Sequence, residues 1–426
     1  MSAGSTVGTY WCFGAGGPDD IGAALGGFLD SLGARPRLLG FGEPMHGEEE
    51  FPLLRNRMFR CLVEREGYRS VAIESDCLSA MRVDAYVAGD EGSLDEVMES
   101  GFSHGFGESE ANRKLVAWMR ERNRNRAPAD ELRFYGFDAP MEITGAASPR
   151  VALTALHGYL AAHLEGDLLP CGLETIEGLV RDDGRWTDPA AAMDPSRSVG
   201  ASREARELRL LAEDLGALLL SESPRLVAAA PEEDWWRACL YARTAAGLLR
   251  YHAVMADGSG PRAARMSRLS SHRDAMMYEN LQAVAAREAR RGPTLVFAQN
   301  AHLRKDRSEF LLPTEWGGGV VAWWSAGAIA GAQMGDRYAF LASVLGSATG
   351  RGIGLPSPDT LEGALYAVAE GPCIFDSQRL AEAARDRSPK LTLRADASTV
   401  RGYSPLDPDR LGGTDGVVFV KDIPSR

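Results

Sequence analysis

The chain is poor in the residues that carry the most familiar active-site chemistries, with 7 histidines and 6 cysteines among 426 residues. The cysteines, at 12, 61, 77, 171, 239 and 373, form neither a C-x-x-C pair nor a zinc spacing, so they read as small buried apolar residues. No H-E-x-x-H occurs, Pro170-Cys171 lacks the second cysteine of a deaminase zinc site, and no phosphate-cradling glycine motif follows a strand. Basic excess is missing as well. Lys and Arg number 47 against 59 Asp and Glu, a net charge of −12, and no Lys/Arg cluster is interleaved with aromatics, which argues against nucleic acid and anionic membrane as partners. A run of about 18 apolar residues, the minimum for a spanning helix, is absent. The first ten residues lack the basic and apolar stretches of a secretory leader, and the expectation is a cytoplasmic protein.

What remains is an ordinary folded composition, 45% hydrophobic and 25% charged. Four short apolar runs, 37–41, 69–73, 132–137 and 293–298, each end in Gly or a polar residue. Runs of that length separated by helical patterns read as buried strands of a mainly parallel sheet, and ligands collect at the carboxyl ends of such strands. The four ends present Gly42-Glu43-Pro44-Met45-His46-Gly47, then Glu74-Ser75-Asp76, then Asp138, then Gln299-Asn300-Ala301-His302. Phe51, Leu54, Met58, Leu62 and Val63 recur at helical spacing before Gly67, and 76–90 and 108–124 read as further helices. Residues 139–293 are rich in Ala, Leu, Arg and Glu, with helical runs near 149–166, 200–221, 232–256 and 268–290. They are expected to form a helical insertion capping a core made of 1–138 and 294–426, and to wall a pocket above the strand ends. Four more strand-like runs follow, at 319–324, 338–342, 373–375 and 417–420, with 346–360 as a loop. The fold class is therefore α/β, a mainly parallel central sheet flanked by helices.

Among the histidines, His157, His163 and His252 sit inside helical patterns, where an ordinary hydrogen-bonded histidine is the commoner outcome. His272 reads as the start of a helix. His46 and His302 differ, because each follows a strand end. Glu43, three residues before His46, can hold the imidazole tautomer while His46 takes a proton from water. Glu74 can orient His46 or form a salt bridge. His302 can bind the same water or donate to an oxygen that gains charge. Arg55, beside the apolar face of its helix, is a candidate anion clamp. Gly101-Phe102-Ser103-His104-Gly105 fits the G-x-S-x-G of a serine nucleophile, with Asp138 and His302 following in the right order, yet no strand precedes the serine as that motif requires. Glu43, His46, Glu74 and His302 are also a mixture that zinc or iron accepts.

The string Leu38-Leu-Gly-Phe-Gly-Glu-Pro-Met-His-Gly-Glu-Glu-Glu-Phe51 resembles the signature of the erythromycin esterase family. Further similar stretches follow in order: Val71-Ala-Ile-Glu-Ser75, Arg-Val-Asp-x-Tyr-Val from Arg82, Tyr135-Gly-Phe-Asp138, His272-Arg-Asp-Ala-Met-Met-Tyr-Glu-Asn280 and Ala298-Gln-Asn-Ala-His302. The resemblance implies hydrolysis of a lactone ester, of macrolide antibiotics in the type members, by histidine-activated water and without a covalent serine intermediate. It implies His46 as general base, Glu43 and Glu74 as its carboxylate partners, His302 as second histidine and Arg55 as a site arginine. Asn300, Gln299, Asp138 and Arg273 are expected on the substrate side. Gln299 departs from the family, whose members commonly carry histidine there, and glutamine cannot carry a proton at neutral pH.

The leading expectation is a metal-independent hydrolase, without cofactor, acting on a small ester or lactone that the acidic site favours as a cation. Two alternatives stand beside it: a metal-dependent hydrolase of the same fold, and a pathway protein acting on a tethered peptide or ester intermediate.

Overall fold

The computed structural model describes residues 7–14, 18–142, 145–395 and 402–424. Residues 1–6, part of the stretch read for a leader, lie outside the described residues. Among the described residues there are twelve strands: β1 (Tyr10–Cys12), β2 (Leu38–Glu43), β3 (Ser70–Asp76), β4 (Arg133–Asp138), β5 (Met141–Glu142), β6 (Gly145–Ala146), β7 (Thr294–Gln299), β8 (Arg307–Leu311), β9 (Val320–Trp324), β10 (Tyr338–Ala348), β11 (Cys373–Asp376) and β12 (Gly416–Ile423). Eight of them form one sheet in the order β1-β11-β12-β10-β2-β7-β3-β4, parallel from β12 through β4 and antiparallel at β11. No helix among the described residues is long and apolar enough to cross a membrane.

Side chains alternate across the pleat, and here both faces are apolar because both are covered. Leu39, Phe41, Val71, Ile73, Leu295 and Phe297 pack with the helices Pro18–Ser31, Glu50–Arg65 and Glu110–Asn123. Leu38, Ala72, Tyr135, Phe137, Val296 and Ala298 pack with the helices Arg262–Arg287, Ala326–Met334 and Leu361–Val368. The expected face of Glu50–Arg65 is confirmed, with Phe51, Leu54, Met58, Leu62 and Val63 all buried.

The connections explain where a ligand sits. From β2 the chain passes through Glu50–Arg65, on the first face, to β3 on the far side of β7. From β7 it passes through Ala326–Met334, on the opposite face, to β10 on the far side of β2. Neighbouring strands whose connections leave in opposite directions open a crevice at their carboxyl ends. Parity then divides the acids: Glu43 follows Leu39 and Phe41 toward the first face, and Glu74 follows Ala72 toward the second. Glu74 also falls where the β3–β4 register shifts, between Ile73 and Asp76.

Gly42 keeps this arrangement compact. A Cβ at that position would collide with Oδ1 of Asn300 and meet its Cα at 3.0 Å. Asn300 in turn clamps the sheet, its Nδ2 donating to the Ser343 carbonyl at 2.8 Å and its Oδ1 accepting from the Ser343 N–H at 3.1 Å.

Several expectations are corrected. The run at 319–324 does form a strand, β9, which pairs antiparallel with β8 in a hairpin apart from the main sheet. The strand at 338 continues to Ala348, into the expected loop, because every residue along it is buried between β2 and β12. His272 lies in the interior of a helix, since Arg262–Arg287 begins well before it. Cys12 and Cys373 are not lone thiols. Antiparallel pairing of β1 with β11 sets them opposite one another, and they form a disulfide across 361 residues of chain. Within 139–293, the helices Arg150–His163, Leu173–Val180, Arg203–Ser221 and Glu232–Met255 share a core of their own around Leu156, Leu160, Leu208, Leu215 and Leu249, whereas Arg262–Arg287 packs on the sheet through Met277, Leu281 and Val284.

Filling the space over Gly42 tests this packing. Gly42→Ala should lower unfolding stability by about 1–3 kcal/mol, as overpacking of a closed site does. A denaturation midpoint equal to that of the parent protein would show that Asn300 does not close on β2.

Candidate functional site

His46 is placed by a tight turn after β2. Gly47 takes φ +75°, a conformation that favours glycine, and Arg351, from the turn after β10, donates to the carbonyls of His46 and Gly47 at 3.3 and 3.4 Å. The His46 Nδ1–H donates to Glu43 Oε1 at 2.7 Å, which leaves Nε2 as the second ring nitrogen, 3.8 Å from Glu74 Oε1. The His46 side chain is 41% exposed, whereas Glu43 and Glu74 are buried. Its ring stands edge-on to Phe106 at 5.4 Å.

Behind His46 lies a chain of charges. Glu74 Oε1 is 3.3 Å from His302 Nε2 and accepts from Arg273 Nη2 at 3.1 Å, while Oε2 accepts the Gln299 N–H at 2.8 Å. His302 Nδ1 lies 3.0 Å from both oxygens of Asp274, a fully buried residue that also accepts from the Trp323 indole at 3.0 Å and the Ala326 N–H at 2.8 Å. Arg273 makes a forked contact with Asp138, and His104 Nε2 lies 3.0 Å from the same carboxylate.

These contacts shift proton affinities in a definite pattern. Burial would raise the pKa of Glu74, yet the charges of His302, His46 and Arg273 outweigh it and hold the carboxyl well below its usual range. Burial would lower that of His302, but Asp274 and Glu74 push it up to about 10. For His46 the same opposition, burial against Glu74 and Glu43, leaves a net rise above the ordinary 6.5. Glu43 is raised by burial, with the His46 contact opposing. Arg55 is lowered by burial to about 9 and stays cationic at neutral pH. Its Nε and Nη2 are directed to Asn56 Oδ1, its guanidinium lies 4.8 Å from the Phe297 ring centre, and its buried Nη1 has no hydrogen-bond partner, as is also true of Glu43 Oε2.

A cleft of about 340 Å³ opens beside His46, lined by Glu43, Arg55, Ile73 and Phe297 from the sheet side and by His104, Phe106, Glu108 and Asn112 from the opposite wall. The expected wall from 139–293 is not found here. The segment between helices Leu94–Ser100 and Glu110–Asn123 fills that place, because it is the connection that crosses the ends of β2 and β3. The insertion reaches the site through Arg273 and Asp274, and through Glu142, whose carboxylate accepts the His104 N–H at 3.0 Å.

Of the nine residues chosen from sequence, Glu43, His46 and Arg55 line the cleft, and Glu74, His302, Arg273 and Asp138 form the charged chain behind it. Asn300 and Gln299 do not line this cleft. The Asn300 amide is engaged by Ser343, and the Gln299 side chain donates to the Gly402 carbonyl at 3.2 Å, so Gln299 serves the site through its backbone. Three of the four helical histidines of the insertion each meet a backbone carbonyl, His157 that of Cys171, His163 that of Tyr159 and His252 that of Ala147. Sequence reasoning missed Asp274, His104 and Phe106. Asp274 carried a signal, since it falls on the stripe of Met277, Tyr278 and Leu281, where an acid must find partners to be buried. Among the described residues no group of three His, Cys, Asp or Glu side chains is arranged to hold a metal ion.

Fold and site together define a three-layer α/β protein with a histidine–carboxylate centre at the ends of its parallel strands. Residues 63–422 match the erythromycin esterase family, and the chain belongs to that family. The matched span holds Glu74, Asp138, Arg273, Asp274 and His302; the loop with Glu43 and His46 precedes it. Solved structures of similar fold include a Bacillus cereus protein (16% identity over 96% of this chain and 92% of the other, TM-score 0.68). A succinoglycan biosynthesis protein is also similar (15%, 96% and 92%, TM-score 0.66). So is a histidine-to-asparagine variant of the erythromycin esterase EreC in its open conformation (16%, 92% and 93%, TM-score 0.62).

The serine alternative fails on geometry. Ser103 follows a helix, is buried, and its Oγ accepts the Asp76 N–H at 2.9 Å. Ser103→Ala should keep hydrolytic activity, and a fluorophosphonate should leave no adduct detectable by mass spectrometry. A covalent adduct on Ser103 would restore that alternative.

Proposed function

We propose that the protein hydrolyses an ester or lactone of a small natural-product-type molecule, with His46 as the general base that activates water. The observation that carries this reading is the exposure of one imidazole. His46 alone in the charged chain faces the cleft broadly, and its Nδ1 is fixed by Glu43, so Nε2 is the nitrogen free to take a proton.

Water between His46 and the ester carbonyl loses its proton to Nε2 as its oxygen bonds to carbon. Glu43 stabilises the imidazolium that forms. Arg55, cationic and short of one partner, offers positive charge to the tetrahedral oxyanion. The imidazolium then returns the proton to the departing alkoxide, and acid and alcohol result. Glu74 keeps the base raised in affinity, and the cations at His302 and Arg273 together keep Glu74 ionised. His302 has both nitrogens committed to carboxylates, which makes it a support rather than a substrate contact.

A cleft of about 340 Å³ stands near the lower end of the range for small-molecule sites. It fits the reacting ester and its neighbours, with the remainder of a macrocycle outside. Glu48, Glu49 and Glu108 also line it, which favours a cationic substrate such as an amino sugar. The family's macrolide lactones are therefore the first compounds to offer, together with simple esters.

Two outcomes are expected. His46→Asn should lose about 10²–10⁴-fold in kcat while remaining folded, the usual contribution of a general base; near-parental turnover would remove His46 from the mechanism. Because the base works only when neutral and its affinity is raised, kcat/KM should fall as pH drops through a value above 6.5. It should fall again near 9, where Arg55, the cation offered to the oxyanion, loses its proton. A rate that stays flat from pH 5 to pH 7 contradicts this assignment.

A further inference from the structure

We propose that Asp274 is a positioning residue for this reaction, acting through His302 to hold the second imidazole as a cation aimed at Glu74. The proposal rests on the reading of His46 as general base. Asp274 is fully buried at the middle of Arg262–Arg287, and an acid in that position stays charged only if donors surround it. Three are present: the His302 Nδ1–H, the Trp323 indole N–H and the Ala326 N–H, the last at the start of the nine-residue helix Ala326–Met334. Two of these donors are fixed in place by packing, so the carboxylate cannot turn away, and the His302 ring is pinned by both carboxylate oxygens. The remaining ring nitrogen then has one direction to point, toward Glu74 Oε1 at 3.3 Å, the same oxygen that faces His46 at 3.8 Å.

The groups facing His302 are Asp274 from Arg262–Arg287 and Glu74 from β3, with His46 and Arg273 one contact further through Glu74. Removing the Asp274 charge lets His302 shed its proton near neutrality. His46 then loses a neighbouring cation, while Arg273 still holds Glu74 ionised. The base therefore becomes harder to deprotonate, and the acid limb of kcat/KM moves to higher pH. A purely structural role for Asp274 would lower activity at all pH values alike and leave the limb where it is.

The test is histidine NMR titration of the full chain, with His46 and His302 assigned by single substitution, beside the kcat/KM profile. In Asp274→Asn the His302 midpoint should fall by two units or more from about 10. The His46 midpoint and the acid limb should rise together by about one unit, a roughly tenfold loss of kcat/KM on that limb, with KM changed little. Should the new amide clash with the indole N–H and unfold the chain, the Asp274→Asn/Trp323→Phe pair removes that clash and carries the same expectation. Trp323→Phe alone leaves the charge and should leave both midpoints raised. A folded variant in which neither midpoint moves overturns the proposal. A parent protein that titrates as described yet cleaves no ester overturns the hydrolase reading and spares this one.

Discussion

A single buried carboxylate, that of Glu74, has to be shared among two imidazoles and a guanidinium, and the rest of the site follows from that constraint. Taken from water alone, it would be neutral. Surrounded by His302, His46 and Arg273 it is ionised, and each cation then requires its own acid: Asp274 for His302, Glu43 for His46, Asp138 for Arg273. Four acids and three cations alternate along contacts that branch at Glu74. Breaking any buried link leaves a charge without compensation, which costs several kcal/mol where pairing itself contributes little net stability. Such a network is poor as a stabiliser and good as a way to fix one imidazole's affinity and orientation.

The sheet supplies the frame. Period-two alternation turns Glu43 and Glu74 to opposite faces, and each meets a different helical layer. The first face contributes Arg55 and the second contributes Arg273 and Asp274. A carboxylate pair on the ends of β2 and β3, either side of β7, thereby gathers partners from both sides of the sheet without any loop having to cross it.

Much of this was legible in the sequence. Strand ends are marked where an apolar run stops at a polar residue, so Glu43, His46, Glu74, Asp138 and His302 could be gathered before any coordinates. Helix content carried less. Asp274 was hidden although it shares the stripe of Met277, Tyr278 and Leu281, because the donors that make its burial possible, from His302, Trp323 and Ala326, come from distant parts of the chain. His104 was hidden inside a serine motif that the structure does not use as one. Asn300 and Gln299 sit at a strand end as expected, yet local polarity cannot tell a side chain that faces a ligand from one that braces a neighbouring strand. The Cys12–Cys373 bond depends on an antiparallel edge pairing across the whole chain, which no local pattern encodes. Family membership and relatives of 15–16% identity support the fold, while substrate remains a property of the individual cleft.

The most direct test of the shared carboxylate is infrared difference spectroscopy of the parent protein against Glu74→Gln across a pH series. The account predicts that Glu74 shows only the carboxylate stretches from neutrality down past pH 4.5. A protonated-carboxyl band belonging to Glu74 that is already present near neutral pH would contradict it, and with it the charge order on which the base at His46 depends.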